Sequence, residues 1–357
     1  IEMKKVLKIV AGLVALLLVI VICYVGYVFI SYKRMPDQMS LSVVDHNEAS
    51  LEKSKSYDIM SYNIGYAAYP ADYSFFMDGG KYSRAYDKAT VDDNMAGILK
   101  TTKALDPDLA LFQEVDQDGD RSQHVDEVAG LQKGLAEYSN VYAQNYDSAY
   151  LFYPVTDPIG KAKSGLLTFA KAHMTESTRY SLPIDTDFNK FFDLDRAFSA
   201  TKIPVTDGRT LTLINLHMSA FTKNRDIRQA QLDKLFNFMK QEYENGHHVI
   251  VGGDFNHDML GNSPEVFGTQ TEPFNWTHAF PTDQLPAHFR VATDGLAEAK
   301  IPSVRRNNEP YKAGSSFVSI VDGFLVSDNV SVEKVAVHDQ GFANSDHNPI
   351  VMTFQLK

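Results

Sequence analysis

The chain has 357 residues, 44% of them hydrophobic, which excludes a disordered chain and leaves ample material for a core. It carries 34 Lys or Arg and 45 Asp or Glu; five of the bases and one of the acids precede residue 36, which leaves 29 against 44 and a net −15 for the rest. A domain of that sign repels polyanions unless cations bridge them. The single cysteine, Cys23, excludes an intrachain disulfide or a thiolate metal cluster.

Ile9 to Ile30 is an uncharged apolar run. At about 1.5 Å per residue it is long enough for a hydrocarbon core of ~30 Å. Residues Tyr27 to Tyr32 offer no Ala-x-Ala-like cleavage site, so the run reads as an uncleaved anchor. Lys4, Lys5 and Lys8 precede it, against Lys33 and Arg34 after it. That bias predicts a cytoplasmic tail at 1–8, a transmembrane anchor at 9–30 and everything else outside a cell membrane crossed once. Residues 31–56 are mostly polar and without periodicity, and read as a stalk. The stretch 57–357 has no second linker or repeat and reads as one domain.

Within it, short apolar runs alternate with helical patterns. Strands are expected at Tyr57–Asn63, Leu109–Phe112, Ser164–Phe169, Arg196–Pro204, Thr210–Leu216 and Val249–Val251. Three more are expected at Phe317–Val326, Val330–Val337 and Ile350–Leu356. Val91–Leu105 fits a helix stopped by Pro107. Asp226–Tyr243 fits another, with Leu232, Leu235, Phe236, Met239 and Tyr243 on one face and Gly246 beyond its end. The pattern predicts an α/β chain with mixed sheets.

Polar residues recur at the ends of these strands: Asn63, Glu114, His217, Asp254, Asn256, Asp322, Asp346 and His347. Taken singly, an Asn or Asp after a strand is a turn residue, and a His is a hydrogen-bonded structural residue. Taken together they form a set, because strand ends in an α/β fold converge on one rim, where ligands bind. Hard oxygen donors of this kind suit Mg²⁺, with Mn²⁺ as a substitute. A His–Asp pair can hold an imidazolium against a phosphate oxygen or act as acid and base.

The motifs Ser61-Tyr62-Asn63-Ile64, Gln113-Glu114-Val115, Asn215-Leu216-His217, Gly253-Asp254-Phe255-Asn256, Val321-Asp322-Gly323 and Ser345-Asp346-His347-Asn348-Pro349-Ile350 stand in a fixed order. Together they resemble the ordered motifs of the endonuclease/exonuclease/phosphatase superfamily, from about Tyr57 to the C-terminus. The resemblance implies an α/β four-layer sandwich of two mixed β-sheets flanked by helices. It implies metal-dependent phosphoester hydrolysis, with Glu114 as the principal metal ligand, helped by Asn63, and with Asp346 helping the metal or the histidine network. Asp254 would orient or deprotonate the attacking water, and Asn256 would bind a phosphate oxygen. His347, paired with Asp322, would stabilise developing charge, and His217 would be a second acid or base.

Asn145 and Tyr146 fall where relatives contact phosphate. Arg196 could touch phosphate, with an ion pair to Asp193 or Asp195 as the competing reading. Arg305 could recognise an anionic head group, with a solvated loop as the competing reading. Three functions fit the same core. The first, favoured by the anchor and the acidic domain, is a phosphodiesterase acting on lipid head groups or small phosphoesters at the outer membrane face. The second is a membrane-bound nuclease for external DNA or RNA, which calls for a basic strip or stacking aromatics along a groove. Trp276 and scattered tyrosines are the aromatic candidates. The third is a non-catalytic binding module, which the intact set of strand-end residues disfavours. No obligate protein partner is implied.

Overall fold

The computed structural model describes residues 2–220, 225–269 and 278–357. It begins with helix α1 (Glu2–Ser31), whose residues 2–23 are all exposed. Among the described residues it is the one helix long and apolar enough to cross a membrane, a test that a signal sequence also passes.

Two seven-stranded sheets follow. The first runs, edge to edge, β1 (Met39–Ser40), β7 (Glu176–Ser181), β8 (Ala197–Pro204), β9 (Thr210–His217), β10 (His248–Asp254), β14 (Asp322–Ser327) and β11 (Phe289–Val291). The second runs β15 (Val330–Val337), β16 (Ile350–Leu356), β3 (Tyr57–Asn63), β4 (Leu109–Gly119), β6 (Ala162–Ala170), β5 (Ser139–Asp147) and β2 (Val43–Val44). A short ribbon pairs β12 (Val304–Arg305) with β13 (Val318–Ser319). Both large sheets are mixed: β9–β10 and β3–β4 are parallel, and their other pairings are antiparallel.

The sheets face each other across one core, where Leu111 of β4 and Met352 of β16 join Leu213, Val251 and Phe324 of the other sheet. Helix α4 (Arg225–Glu244) seats the predicted stripe, Leu232, Leu235, Phe236 and Met239 with a half-buried Tyr243, on the same core from outside the first sheet. Helices α2 (Lys88–Leu105) and α3 (Glu127–Gly134) cover the second sheet through Ile98 and Leu131, which pack with Met60, Phe112 and Phe169. The order is helix, sheet, sheet, helix, the four-layer sandwich expected. Helix α2 starts where Asp87 accepts a hydrogen bond from the Thr90 amide, and it stops at a left-handed Asp106 before Pro107.

The polar segment before residue 57 is not a free stalk. Its two-residue strands β1 and β2 close one edge of each sheet, and Leu51 is buried beside Val205. Asp37 accepts from the Ser181 amide and pairs with Lys234 at 2.6 Å. Strands this short leave no period in a sequence.

Candidate active site

The parallel pair β9–β10 ends with His217 beside Asp254, and β14 starts with Asp322 opposite Asp254. In the facing sheet β3 ends at Asn63, and β4 bulges between Phe112 and Val115, at Glu114. Glu114 adopts a left-handed φ of 54°, a conformation that costs a non-glycine residue on the order of 1 kcal/mol or more. Gly253 has φ 147°, and a Cβ there would stand 2.0 Å from the Leu216 oxygen, so only glycine brings Asp254 to the rim by this path. Asp346 and His347 sit immediately before β16.

Behind this rim the motif residues that carry no charge tie the sheets together. Gln113 donates from Nε2 to Asn215 Oδ1 at 2.8 Å and to Ser61 Oγ at 3.2 Å. Asn215 donates from Nδ2 to Thr168 Oγ1 and to the carbonyls of Phe112 and Leu167. These buried groups therefore have partners across the sandwich, as burial requires, and they fix the distance between the two halves of the site.

Asp254 is the hub. Its Oδ2 accepts from Asn63 Nδ2 at 3.0 Å and lies 3.5 Å from His217 Nε2 and 3.8 Å from His347 Nε2. Its Oδ1 accepts from the Asn256 amide at 2.9 Å. Burial, with Asp322 nearby, pushes its pKa up to about 6, against the pull of His347. His347 Nδ1 donates to Asp322 Oδ2 at 2.8 Å, and although burial opposes it, the Asp322 carboxylate pushes the imidazole up to about 10, so it is an imidazolium at neutral pH. His217 moves the other way: burial and the charges of Arg196 and His347 hold it well below the usual histidine range, so it is neutral. Its Nε2 is 3.7 Å from Glu114 Oε1, and its Nδ1 has no partner among the described residues. Burial and the charge of Asp346 raise Glu114 to about 7. Asp346 accepts from Asn307 Nδ2 at 3.2 Å.

Asn63, expected among the metal ligands, is engaged at both ends: it donates to Asp254 and accepts from the Gly65 amide at 3.0 Å. Asn256 spends its Nδ2 on the Met218 carbonyl at 2.8 Å. One ligand atom from each of Asp254, Asp322 and His347 lies within 4.8 Å of the others. The His347–Asp322 bond occupies one of those groups, whereas Glu114 and Asp346 both line the cavity and the charge of Asp346 bears on Glu114. Oxygen donors of this kind suit a divalent cation.

These groups open on a cavity of about 500 Å³. Its floor includes Glu114, His217, Asp254, Asn256, Asp346 and His347, and its walls are largely aromatic or aliphatic, Tyr66, Tyr69, Phe75, Tyr146, Leu151 and Leu194 among them. Of the predicted substrate contacts, Tyr146, Arg196 and Arg305 line it and Asn145 does not. Arg196 is buried, holds Asp193 at 2.6 Å and donates to the Met218 carbonyl, so its ion pair is internal and not a surface one. Arg305 is 1% exposed, not in a solvated loop; it donates to the carbonyls of Pro70, Tyr73 and Glu309 and braces that wall. Trp276 lies outside the described residues.

Sequence reading missed Arg121. It is buried at the wall, paired with both oxygens of Asp116 at 3.1 and 2.9 Å, and its guanidinium lies 3.3 Å from the centre of the Tyr66 ring. Asp116 and Arg121 are close enough in sequence to pair, but an Asp–Arg spacing of that kind is common on surfaces and carries no distinguishing signal.

A two-sheet sandwich with carboxylates and histidines converging on one rim cavity is the architecture of a metal-dependent phosphoester hydrolase. The chain belongs to the endonuclease/exonuclease/phosphatase family, whose sequence model matches residues 60–347. Members of that family are phosphoesterases that use divalent metal ions. A search of curated protein sequences finds no match. Among solved structures, an endonuclease/exonuclease/phosphatase from Beutenbergia cavernae aligns at TM-score 0.58 and 15% identity, covering 85% of this chain and 72% of that one. The human Nocturnin catalytic domain with bound sulfate aligns at 0.53 and 19%, covering 89% and 98%. D. rerio TDP2 with a single-strand DNA product aligns at 0.52 and 17%, covering 85% and 100%. At these identities the likeness is one of fold.

Proposed function

We propose that this chain hydrolyses a phosphodiester with a divalent cation, Mg²⁺ or Mn²⁺, and does so at the outer face of a membrane to which α1 anchors it. The observation that carries the reading is the split of ionisation states around one cavity: an imidazolium at His347, a neutral imidazole at His217 and a carboxylate at Asp254 raised to about 6. Pairs of groups pushed apart in this way mark acid and base assignments.

In this reading Glu114 and Asp346 hold the cation, which when bound supplies charge stabilisation to the phosphoryl oxygens. Asn63 and the Asn256 amide fix the Asp254 carboxylate, which takes the proton of the attacking water; a base near pKa 6 is suited to that at neutral pH. The His347 imidazolium, kept protonated by Asp322, faces the charge that develops on the phosphoryl group. His217 Nε2 can donate to a phosphoryl or leaving-group oxygen, and Asn256, one Nδ2 hydrogen of which goes to the Met218 carbonyl, keeps the other for a phosphate oxygen. A cavity of about 500 Å³ suits a head group or a single nucleotide better than a duplex.

A lipid or small phosphodiester is favoured over nucleic acid because the domain is acidic and the wall arginines, Arg121, Arg196 and Arg305, are engaged internally. The tyrosines that line the cavity keep base stacking open as the second reading. The full chain in detergent, supplied with Mg²⁺, should cleave bis-p-nitrophenyl phosphate and lose that activity in EDTA. Turnover that survives excess chelator would sink the metal reading. A panel of sphingomyelin, phosphatidylinositol and plasmid DNA separates the two substrate classes, and a steep loss of DNA affinity with salt would favour the nuclease.

A further inference from the structure

The apolar helix and the cavity meet at one loop. Contacts between α1 and the domain begin at Tyr24: its hydroxyl donates to the Tyr150 carbonyl at 2.9 Å and accepts from the Phe152 amide at 2.9 Å. The Tyr27 hydroxyl accepts from the Tyr150 amide at 3.0 Å. Below this point Phe29 stacks edge-on against Phe191 at 4.8 Å, with Tyr32 on the same ring at 5.1 Å. The loop at 150–160 is itself fixed, by a Leu151–Gly160 bridge and by Ser83 donating to the Asp157 carbonyl at 2.6 Å.

Its side chains alternate. Leu151 and Tyr153 line the cavity, while Phe152 turns to Tyr24. Phe152, Val155 and Phe188 lie outside the cavity lining and are 58%, 79% and 51% exposed. Exposed apolar side chains scattered singly mean nothing, but Phe152 packs on Tyr24 and Phe188 on Phe29, so both lie where the apolar helix meets the segments that line the cavity, as at an interaction surface. The register of α1 says which surface. A hydrocarbon core of ~30 Å takes about 20 helical residues; counted from Ile9, past the last lysine of the N-terminal side, it ends near Val28. Tyr24 then lies inside the near boundary of the bilayer, and so does the loop bonded to it. Tyr24, Tyr27 and Tyr32 occupy the depth where tyrosines gather in spanning helices.

We infer that the loop around Phe152 and Val155, with Phe188, is seated in the membrane interface and turns the cavity mouth onto the bilayer, so that the substrate is a phospholipid taken from the leaflet. The inference rests on the anchored-phosphodiesterase reading above and adds the direction of entry and the source of substrate. A phospholipid fits both parts of the cavity, its phosphodiester at the charged floor and its apolar portion along the aromatic wall toward the mouth.

The test uses the full chain reconstituted in phosphatidylcholine vesicles that also carry anionic phospholipid. Phe152→Ser and Val155→Asp should each lower vesicle-lipid hydrolysis about tenfold and leave bis-p-nitrophenyl phosphate turnover within twofold of wild type, the soluble substrate serving as the control for folding. Unchanged lipid hydrolysis overturns the inference and leaves the phosphodiesterase reading standing. A wild-type chain that cleaves the soluble diester but no vesicle lipid also overturns it. A wild-type chain with Mg²⁺ that cleaves neither overturns the functional reading, and the inference with it. An independent arm needs no turnover: Val155→Trp in a Trp276→Phe background should be quenched by phosphatidylcholine brominated on its acyl chains. Fluorescence untouched by that lipid overturns the membrane seat.

Discussion

A carboxylate and a histidine meet at each end of the pair β9–β10, and the two ends behave in opposite ways. At the start of the pair, Glu242 of α4 accepts from Thr212 Oγ1 at 2.6 Å, binds Lys202, and lies 2.8 Å from His247 Nδ1. Burial alone would raise the Glu242 carboxyl, but these bonds outweigh it and hold the carboxyl below its ordinary range. At the finish, Asp254 and Glu114 are raised by burial and by neighbouring acids, His217 Nδ1 and Asp322 Oδ1 have no partner among the described residues, and the Glu114 backbone is left-handed. The same residue types are settled at one end and unsettled at the other. Unsettled groups of this kind persist where a ligand completes them, and they mark functional sites.

The largest expected contrast is in turnover. Asp254→Ala and His347→Ala should each reduce hydrolysis of bis-p-nitrophenyl phosphate by about a thousandfold or more, the usual range for losing a general base or a charge stabiliser. Glu242→Ala, at the other end of the same strands, should leave turnover of the folded fraction within about threefold. Near-normal rates in both Asp254→Ala and His347→Ala would put the chemistry elsewhere.

Stability should run the other way, with smaller numbers. Glu242→Ala leaves Lys202 half-buried without its carboxylate, and calorimetry should find a loss of about 1–3 kcal/mol. Glu114→Gln, measured in EDTA, removes a charge that burial and Asp346 disfavour, and it should leave the melting temperature unchanged or raise it by a few degrees. A melting temperature that falls sharply with Glu114→Gln would mean that this end is as settled as the other. Asn215→Ala sits between the two: it should destabilise by about 1–3 kcal/mol by removing the bond from Gln113 across the sandwich, and turnover should fall with it because the two halves of the site lose their spacer.

The finish of these strands was far more legible in the sequence than the start. Each strand-end residue stands in a short motif, and the order of the motifs carried both the family and the four-layer fold. What the sequence hid is what depends on distant neighbours. Strands β5 and β7 lack a clean apolar alternation: β7 alternates by burying Ser177, Arg179 and Ser181. Arg179 is buried because the carbonyls of Gln144 and Asp195 take its guanidinium, contacts across 35 and 16 residues that no local pattern signals. Residues 31–56 read as a stalk for the same reason. His247 and His248 stand in none of the motifs, yet His248 is buried with its ring on the Asn329 carbonyl and His247 completes the Glu242 cluster. The left-handed backbone of Glu114 is likewise invisible in sequence, since a bulge is set by the register of β6 against β4.

The smallest effect is also the cleanest check on the settled end. Because the folded pKa of Glu242 is depressed, the unfolded chain binds its proton first as pH falls, and stability declines from the ordinary glutamate range downward through the folded value. The contribution is fully present above that range. Denaturation midpoints for wild type and Glu242→Gln should therefore differ most near neutral pH and converge as pH falls below the ordinary glutamate range. The gap should be modest, on the order of 1 kcal/mol, since the cluster is partly open to water and screened by it. A gap that stays constant across that window would mean that Glu242 contributes through shape alone, and the contrast between the two strand ends would lose its electrostatic half.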